Sequence, residues 1–147
     1  MIFDVNSPDV LTLNSLTTTA GDRATGLLIV DDDFGIRSIL SQLLRDDGYT
    51  VFQAGDGEEA REIWNNNRSF IDVVLCDFSL PDTNGAELVE TMREERPDVK
   101  IIFMSGLFPP EVMQRAQAGE ISLMEKPFNV RSLSATIEGL MRERVAA

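Results

Sequence analysis

The sequence predicts a five-stranded, doubly wound parallel α/β sheet with strand order 2-1-3-4-5 and helices on both faces. Three observations predict it. Short apolar runs rich in β-branched residues alternate with longer segments whose apolar residues recur at helical spacing. That alternation repeats five times between Gly26 and Met141, the pattern of βαβ units with right-handed crossovers. Three of the runs stop on polar groups, at Val30-Asp31-Asp32, Leu75-Cys76-Asp77 and Met104-Ser105. In open parallel sheets the ligand crevice lies at the carboxyl ends of the strands, at the switch point between strands one and three.

In chain order, residues 1–25 are a composition apart, rich in Asn, Ser, Thr, Asp and Gly. They read as a loosely ordered tail with a linker at Ser15-Leu16-Thr17-Thr18-Thr19-Ala20-Gly21. The alternative is a docking arm using Ile2, Phe3, Leu11 and Leu13. The folded domain is expected over 26–147. Strand one covers 27–30. Helix one places Ile36, Ile39, Leu40, Leu43 and Leu44 on one face, and Gly48 ends it as a C′ residue. Strand two covers 49–54. Helix two, over 57–66, turns Ala60, Ile63 and Trp64 inward. Strand three covers 71–76. Helix three buries Leu88, Val89 and Met92, with Pro97 beyond its end. Strand four covers 99–104. Pro109 and Pro110 open helix four, which Gly119 closes. Strand five covers 121–124, and helix five carries Val130, Leu133, Ile137, Leu140 and Met141 on one side.

Composition removes several function classes. A net charge of −12 argues against nucleic acid and against anionic membrane surfaces as partners. The chain has no histidine, which excludes Ser-His and Cys-His catalysis and the usual zinc sites. Any phosphohistidine in its chemistry belongs to another molecule. A single cysteine rules out an internal disulfide and suits a reducing compartment. No run is long and apolar enough to span a bilayer, and the N-terminus lacks the marks of a signal peptide, so a cytoplasmic location is expected.

The fold brings Asp31, Asp32 and Asp77 to one strand mouth. Like charges at about 4 Å, with an effective dielectric of about 20, cost roughly 4 kcal/mol per pair. Helix capping accounts for one aspartate, Asp33 in particular, but not for three acids together. A hard cation does, and Mg²⁺ takes oxygen ligands while keeping several waters. Lys126, ahead of Pro127, brings an ammonium toward the acids as a point charge for phosphate; the plainer reading is a surface salt bridge. Ser105 offers a hydroxyl at the end of strand four, and Gly106 leaves room for a ligand. A carboxylate nucleophile, a metal cluster, a hydroxyl and a lysine together make a phosphoryl-transfer site: Asp77 attacks, while Ser105 and Lys126 hold phosphoryl oxygens.

On Val30-Asp31-Asp32, on Asp77 with Pro81 and Gly85, on Met104-Ser105-Gly106 and on Lys126-Pro127-Phe128, the chain resembles the receiver domains of two-component response regulators. The resemblance covers about Gly26 to Met141. It implies that Asp77 is the phosphoacceptor. It implies that Asp32 and Asp77 ligate Mg²⁺ directly with the main-chain carbonyl of Ser79, while Asp31 acts largely through a metal-bound water. Ser105 would bond a phosphoryl oxygen and shift on phosphorylation, Lys126 would pair with the phosphoryl group, and the Lys126–Pro127 bond would be cis. Family members often carry Tyr or Phe where this chain has Leu123, which puts the usual aromatic relay to the output face in question. Phe103 and Phe108 read as packing.

The function this implies is a stand-alone signalling phosphoacceptor, with no enzymatic role beyond its own phosphotransfer and dephosphorylation. Only Glu143 to Ala147 follow helix five, too few for an output domain. The expected partners are a histidine kinase or a histidine phosphotransfer protein, and a downstream protein that the sequence does not name. The expected output surface is helix four, strand five and helix five. The alternatives are the C-terminal receiver of a hybrid histidine kinase and a phosphorylation-independent pseudo-receiver. A haloacid-dehalogenase-like phosphatase needs an acid where Ser79 stands. A flavodoxin needs a phosphate loop after the first strand, and no nucleotide P-loop is present.

Overall fold

The strand Gly26–Val30, β1, is apolar or glycine at every position and buried at every position, because it has a strand on each edge and helices on each face. This computed structural model describes residues 23–146, and the expectations for residues 1–22 lie outside them. After β1 come α1 (Phe34–Asp46), β2 (Thr50–Ala54), α2 (Gly57–Asn67), a 3₁₀ turn (Arg68–Phe70) and β3 (Val73–Asp77). Then follow α3 (Gly85–Glu95), β4 (Lys100–Ser105), α4 (Pro110–Gln117), β5 (Ser122–Glu125) and α5 (Val130–Ala146). The five strands form one sheet, β2-β1-β3-β4-β5, with every pairing parallel.

Successive residues of a strand point to opposite faces, so the sheet divides the core in two. Leu28, Val30, Val74, Cys76, Ile101 and Phe103 meet Ala60 and Trp64 of α2, Leu88, Val89 and Met92 of α3, and Val112 of α4. Leu27, Ile29, Val73, Leu75, Ile102 and Met104 meet Leu40 and Leu44 of α1 and Leu133 and Ile137 of α5. Fully burying each large side chain contributes about 1.5–3 kcal/mol, so these two layers hold the strand ends rigidly in place.

Helix ends follow local chemistry. Asp33 caps α1 by accepting from the Ile36 amide, Asp56 caps α2 through the Glu59 amide, and Asn84 caps α3 through the Glu87 amide. After α1, Gly48 turns the chain at φ 101°, a conformation that favours glycine.

Two local expectations differ from the structure. Ile36, Ile39 and Leu43 of α1 share the apolar face read with Leu40 and Leu44, yet they are exposed, Ile39 by 62%. Two helices share that face of the sheet, and the strip of α1 in contact is only wide enough for Leu40, Ser41 and Leu44. Residues 23–25 are bonded into the fold rather than lying with the stretch read as tail. Arg23 pairs bidentately with the buried Asp72 carboxylate at 2.9 Å on each arm, and Asp72 also accepts from the Gly26 amide at 2.9 Å. A Cβ on Gly26 would sit 1.7 Å from the Phe70 carbonyl oxygen, so this junction needs a glycine.

Candidate functional site

The chain leaves β1 at Asp31, whose amide still donates to the Ala54 carbonyl at 3.1 Å. Asp31 is completely buried. Its Oδ1 accepts from the Asp33 amide at 2.9 Å, which tightens the turn into α1. Asp32, between them, is exposed, and among the described residues its carboxylate has no hydrogen-bond or ion-pair partner.

β3 ends at Asp77, half-buried. Its Oδ1 accepts from the Ser79 amide at 3.0 Å. The loop that follows is held close by Gly85, whose amide donates to the Phe78 carbonyl at 2.9 Å. A Cβ on Gly85 would lie 2.7 Å from the Asp77 carbonyl oxygen and 3.2 Å from Cys76 Sγ, so the approach depends on glycine. The tip of the loop is fastened to the neighbouring helix, because Asp82 accepts from the amides of Gly57 and Glu58 at 2.8 and 3.0 Å. Those amide bonds, Gly57 first, hold the Asp82 carboxyl below the usual carboxylate range.

One ligand oxygen from each of Asp31, Asp32 and Asp77 can be chosen so that all three lie within 4.8 Å of one another. Lys126 closes the group. Its Nζ donates to Asp31 Oδ2 at 3.2 Å and to Asp77 Oδ2 at 3.0 Å. Burial works to lower the pKa of this lysine, but its bonds to Asp77 and Asp31 and their charges outweigh burial and raise it. The Lys126 amide donates to the Ser105 carbonyl at 2.8 Å, and the Lys126–Pro127 bond is cis. Burial first, then the charges of Asp77 and Asp31, push the Cys76 thiol far up, so it stays protonated beneath the acids.

Ser105 stands at the end of β4, one residue past Met104, which is the register partner of Asp77. Its hydroxyl donates to the Leu107 carbonyl at 2.9 Å and accepts from the Leu107 amide at 3.2 Å. Leu123 of β5 is half-buried against the α2–α3 core layer. The Phe78 ring, beside the acid, stands edge-on to Phe103 at 5.4 Å and to Phe108 at 6.3 Å between centroids.

Of the residues singled out in the sequence, Asp31, Asp32, Asp77 and Lys126 converge. Ser79 meets the cluster through its amide, and Ser105 lies on the adjoining strand end with its hydroxyl committed to its own loop. The donors around the acids are hard oxygens with one open side at Asp32, which fits a Mg²⁺ ion that keeps several waters. Two residues were not anticipated. Asp82 is a turn residue whose partners are backbone amides of another helix. Arg37 bonds the Asp31 carbonyl at 2.6 Å, and its spacing on α1 marks only a polar face.

Neighbouring parallel strands that end on a buried and a half-buried acid, with a lysine reaching both, put a charged site at the mouth of an open α/β sheet, and comparison with known proteins gives the class of domain that carries it. The family model of the response regulator receiver domain matches residues 27–138, and the chain belongs to that family. It is 29% identical over 113 residues to sporulation initiation phosphotransferase F of Bacillus subtilis, covering 76% of this chain and 90% of that one. It is 30% identical over 132 residues to the sensor kinase CckA of Brucella abortus, covering 86% of this chain but only 13% of CckA. Among solved structures, the chemotaxis protein CheY4 of Vibrio cholerae superposes with a TM-score of 0.72 at 32% identity, over 80% of this chain and 98% of that one. The protein is therefore a receiver domain of two-component systems. Among the described residues no helix is long and apolar enough to cross a membrane.

Proposed function

We propose that the protein is a phosphorylation-dependent signalling switch whose acceptor is the Asp77 carboxylate. The observation that carries this is the convergence of Asp31, Asp32, Asp77 and Lys126 at one strand mouth. The donor is a phosphohistidine of a histidine kinase or histidine phosphotransfer protein, since this chain has no histidine. In the step, a carboxylate oxygen of Asp77 forms the new P–O bond. The P–N bond of the donor breaks, and the imidazole nitrogen leaves with the electron pair.

Asp32 and Asp77 with the Ser79 main-chain carbonyl would hold Mg²⁺ directly, and Asp31 through water. The ion supplies positive charge to the phosphoryl oxygens. Lys126 exchanges its carboxylate contacts for a phosphoryl oxygen. Ser105 releases Leu107 to donate to another, so the segment 105–108 changes shape when the acceptor is loaded. A protein donor is supported by the surface beside the mouth. Phe34, Ile36 and Ile39 of α1 are exposed there, next to an apolar groove lined by Ile36, Leu40, Pro127 and Phe128. The downstream target reads the changed surface, with α4, β5 and α5 as its expected position, in the cytoplasm.

The test is intact-protein mass spectrometry after incubation with acetyl phosphate and Mg²⁺. The wild type gains one phosphoryl group, and Asp77→Asn gains none. Equal labelling of the two proteins would refute the assignment of the acceptor.

A further inference from the structure

Among the described residues Asp32 is the acid of the cluster whose carboxylate has no partner, so the main chain is what sets where that carboxylate can reach. That main chain is fastened on both flanks. On the far side the Asp33 amide is held by Asp31 Oδ1 at 2.9 Å. On the near side the Asp31 carbonyl accepts from Arg37 Nη1 at 2.6 Å.

Arg37 is itself held in place. Its Nε donates to Gln53 Oε1 of β2 at 3.3 Å, and its guanidinium stacks over the Phe34 ring at 5.4 Å. Gly55 leaves the space it occupies, because a Cβ there would lie 3.3 Å from Nη1. Arg37 makes no ion pair with Asp31, Asp32 or Asp77; among the described residues it is Lys126 that touches the acids. Its contact is with the backbone, from which it does not compete for the carboxylates.

We infer that Arg37 is a positioning residue for the divalent cation: it clamps the Asp31–Asp32 peptide and so orients the Asp32 carboxylate for binding. The clamp needs a planar fork that reaches the Asp31 carbonyl and the Gln53 side-chain oxygen together while stacking on Phe34. An ammonium keeps the charge but cannot make that set of contacts. The inference rests on the reading that the acid cluster binds Mg²⁺.

Charge and positioning predict opposite results, which makes the test decisive. Removing a nearby positive charge by itself tightens cation binding; releasing the ligand's backbone weakens it. Mg²⁺ titrations by calorimetry are run on wild type, Arg37→Lys, Arg37→Gln and Gln53→Leu, each first checked for native circular dichroism. Groups that orient a ligand typically change metal affinity by about tenfold or more, so both Arg37 variants are expected to bind Mg²⁺ about tenfold more weakly. Gln53→Leu keeps Arg37 and its charge but loses one anchor; it weakens binding by a smaller factor and carries the test if an Arg37 variant does not fold. With acetyl phosphate, the Mg²⁺ concentration for half-maximal phosphorylation of Arg37→Lys rises while the rate at saturating Mg²⁺ stays near that of wild type. Arg37→Lys binding as tightly as wild type, Arg37→Gln binding more tightly, or Gln53→Leu leaving affinity unchanged would overturn the clamp. A wild type that binds no Mg²⁺ overturns the cluster reading itself, a distinct result.

Discussion

Replacing Lys126 with Met removes the ammonium that lies 3.0 Å from Asp77 Oδ2 and 3.2 Å from Asp31 Oδ2. At an effective dielectric of about 20, each of those contacts is worth roughly 5 kcal/mol of attraction, and two carboxylates at the cluster's spacing repel by roughly 3.5 kcal/mol. Desolvation of three ions absorbs most of the attraction. Lys126 also keeps 27% of its side chain in solvent, while Asp31 keeps none. Breaking a fully buried pair costs about 3–5 kcal/mol, so with this partial exposure the expected loss is about 2–3 kcal/mol. For a domain of this size that lowers Tm by about 8–11 °C in the presence of a chelator.

The assay is thermal unfolding followed by fluorescence of Trp64, the only tryptophan, which is fully buried in the α2–α3 layer. Saturating Mg²⁺ raises the Tm of Lys126→Met more than that of the wild type, because the ion supplies the charge the variant lacks. A variant that melts within about 2 °C of wild type in chelator, below the shift expected for 1 kcal/mol, would show the ammonium to be worth no more than a surface ion pair.

Other outcomes follow from the same geometry. Asp32→Asn removes a ligand charge from an exposed position, so Mg²⁺ affinity falls by about tenfold or more in a calorimetric titration, while apo stability holds or rises. Gly85→Ala drives a methyl into the Asp77 carbonyl, 2.7 Å from the Cβ position, and lowers stability by about 1–3 kcal/mol in urea melts. Because the folded-state pKa of Lys126 is raised, its contribution to apo stability is full below the ordinary lysine value of 10.5 and is lost as pH rises through the higher folded value. Wild type therefore loses stability over that alkaline window and Lys126→Met loses less, as denaturant melts across the range will read.

The strands were legible because parallel strands buried on both faces leave continuous apolar runs, and Leu27-Leu28-Ile29-Val30 and Val73-Val74-Leu75-Cys76 are such runs. The caps at Asp33 and Gly48 were legible because their chemistry is local. The facing of α1 was not, since a sequence shows which residues are apolar but not how wide a strip the sheet offers. Ile36, Ile39 and Leu43 look like core and lie in solvent. Arg37 and Asp82 were invisible for another reason. Their partners are main-chain groups, the Asp31 carbonyl and the Gly57 and Glu58 amides, and a backbone group leaves no mark in residue identity.

The convergence of the acids was legible because it is set by strand order. β1 and β3 are neighbours with Val30 opposite Cys76, so the next residue on each strand, Asp31 and Asp77, arrives at the same mouth. β5 is not a neighbour of β3; β4 lies between them. For Lys126 to contact Asp77 at 3.0 Å, its side chain must pass the end of β4, which is Ser105 followed by Gly106. In the proposed switch the Ser105 hydroxyl, tied here to Leu107, would leave that tie for a phosphoryl oxygen on Asp77. Ser105→Ala removes only that hydroxyl, so the apo ion pairs of Lys126 are expected to stand, read as an unchanged Tm in chelator, while the proposed response to phosphorylation is lost.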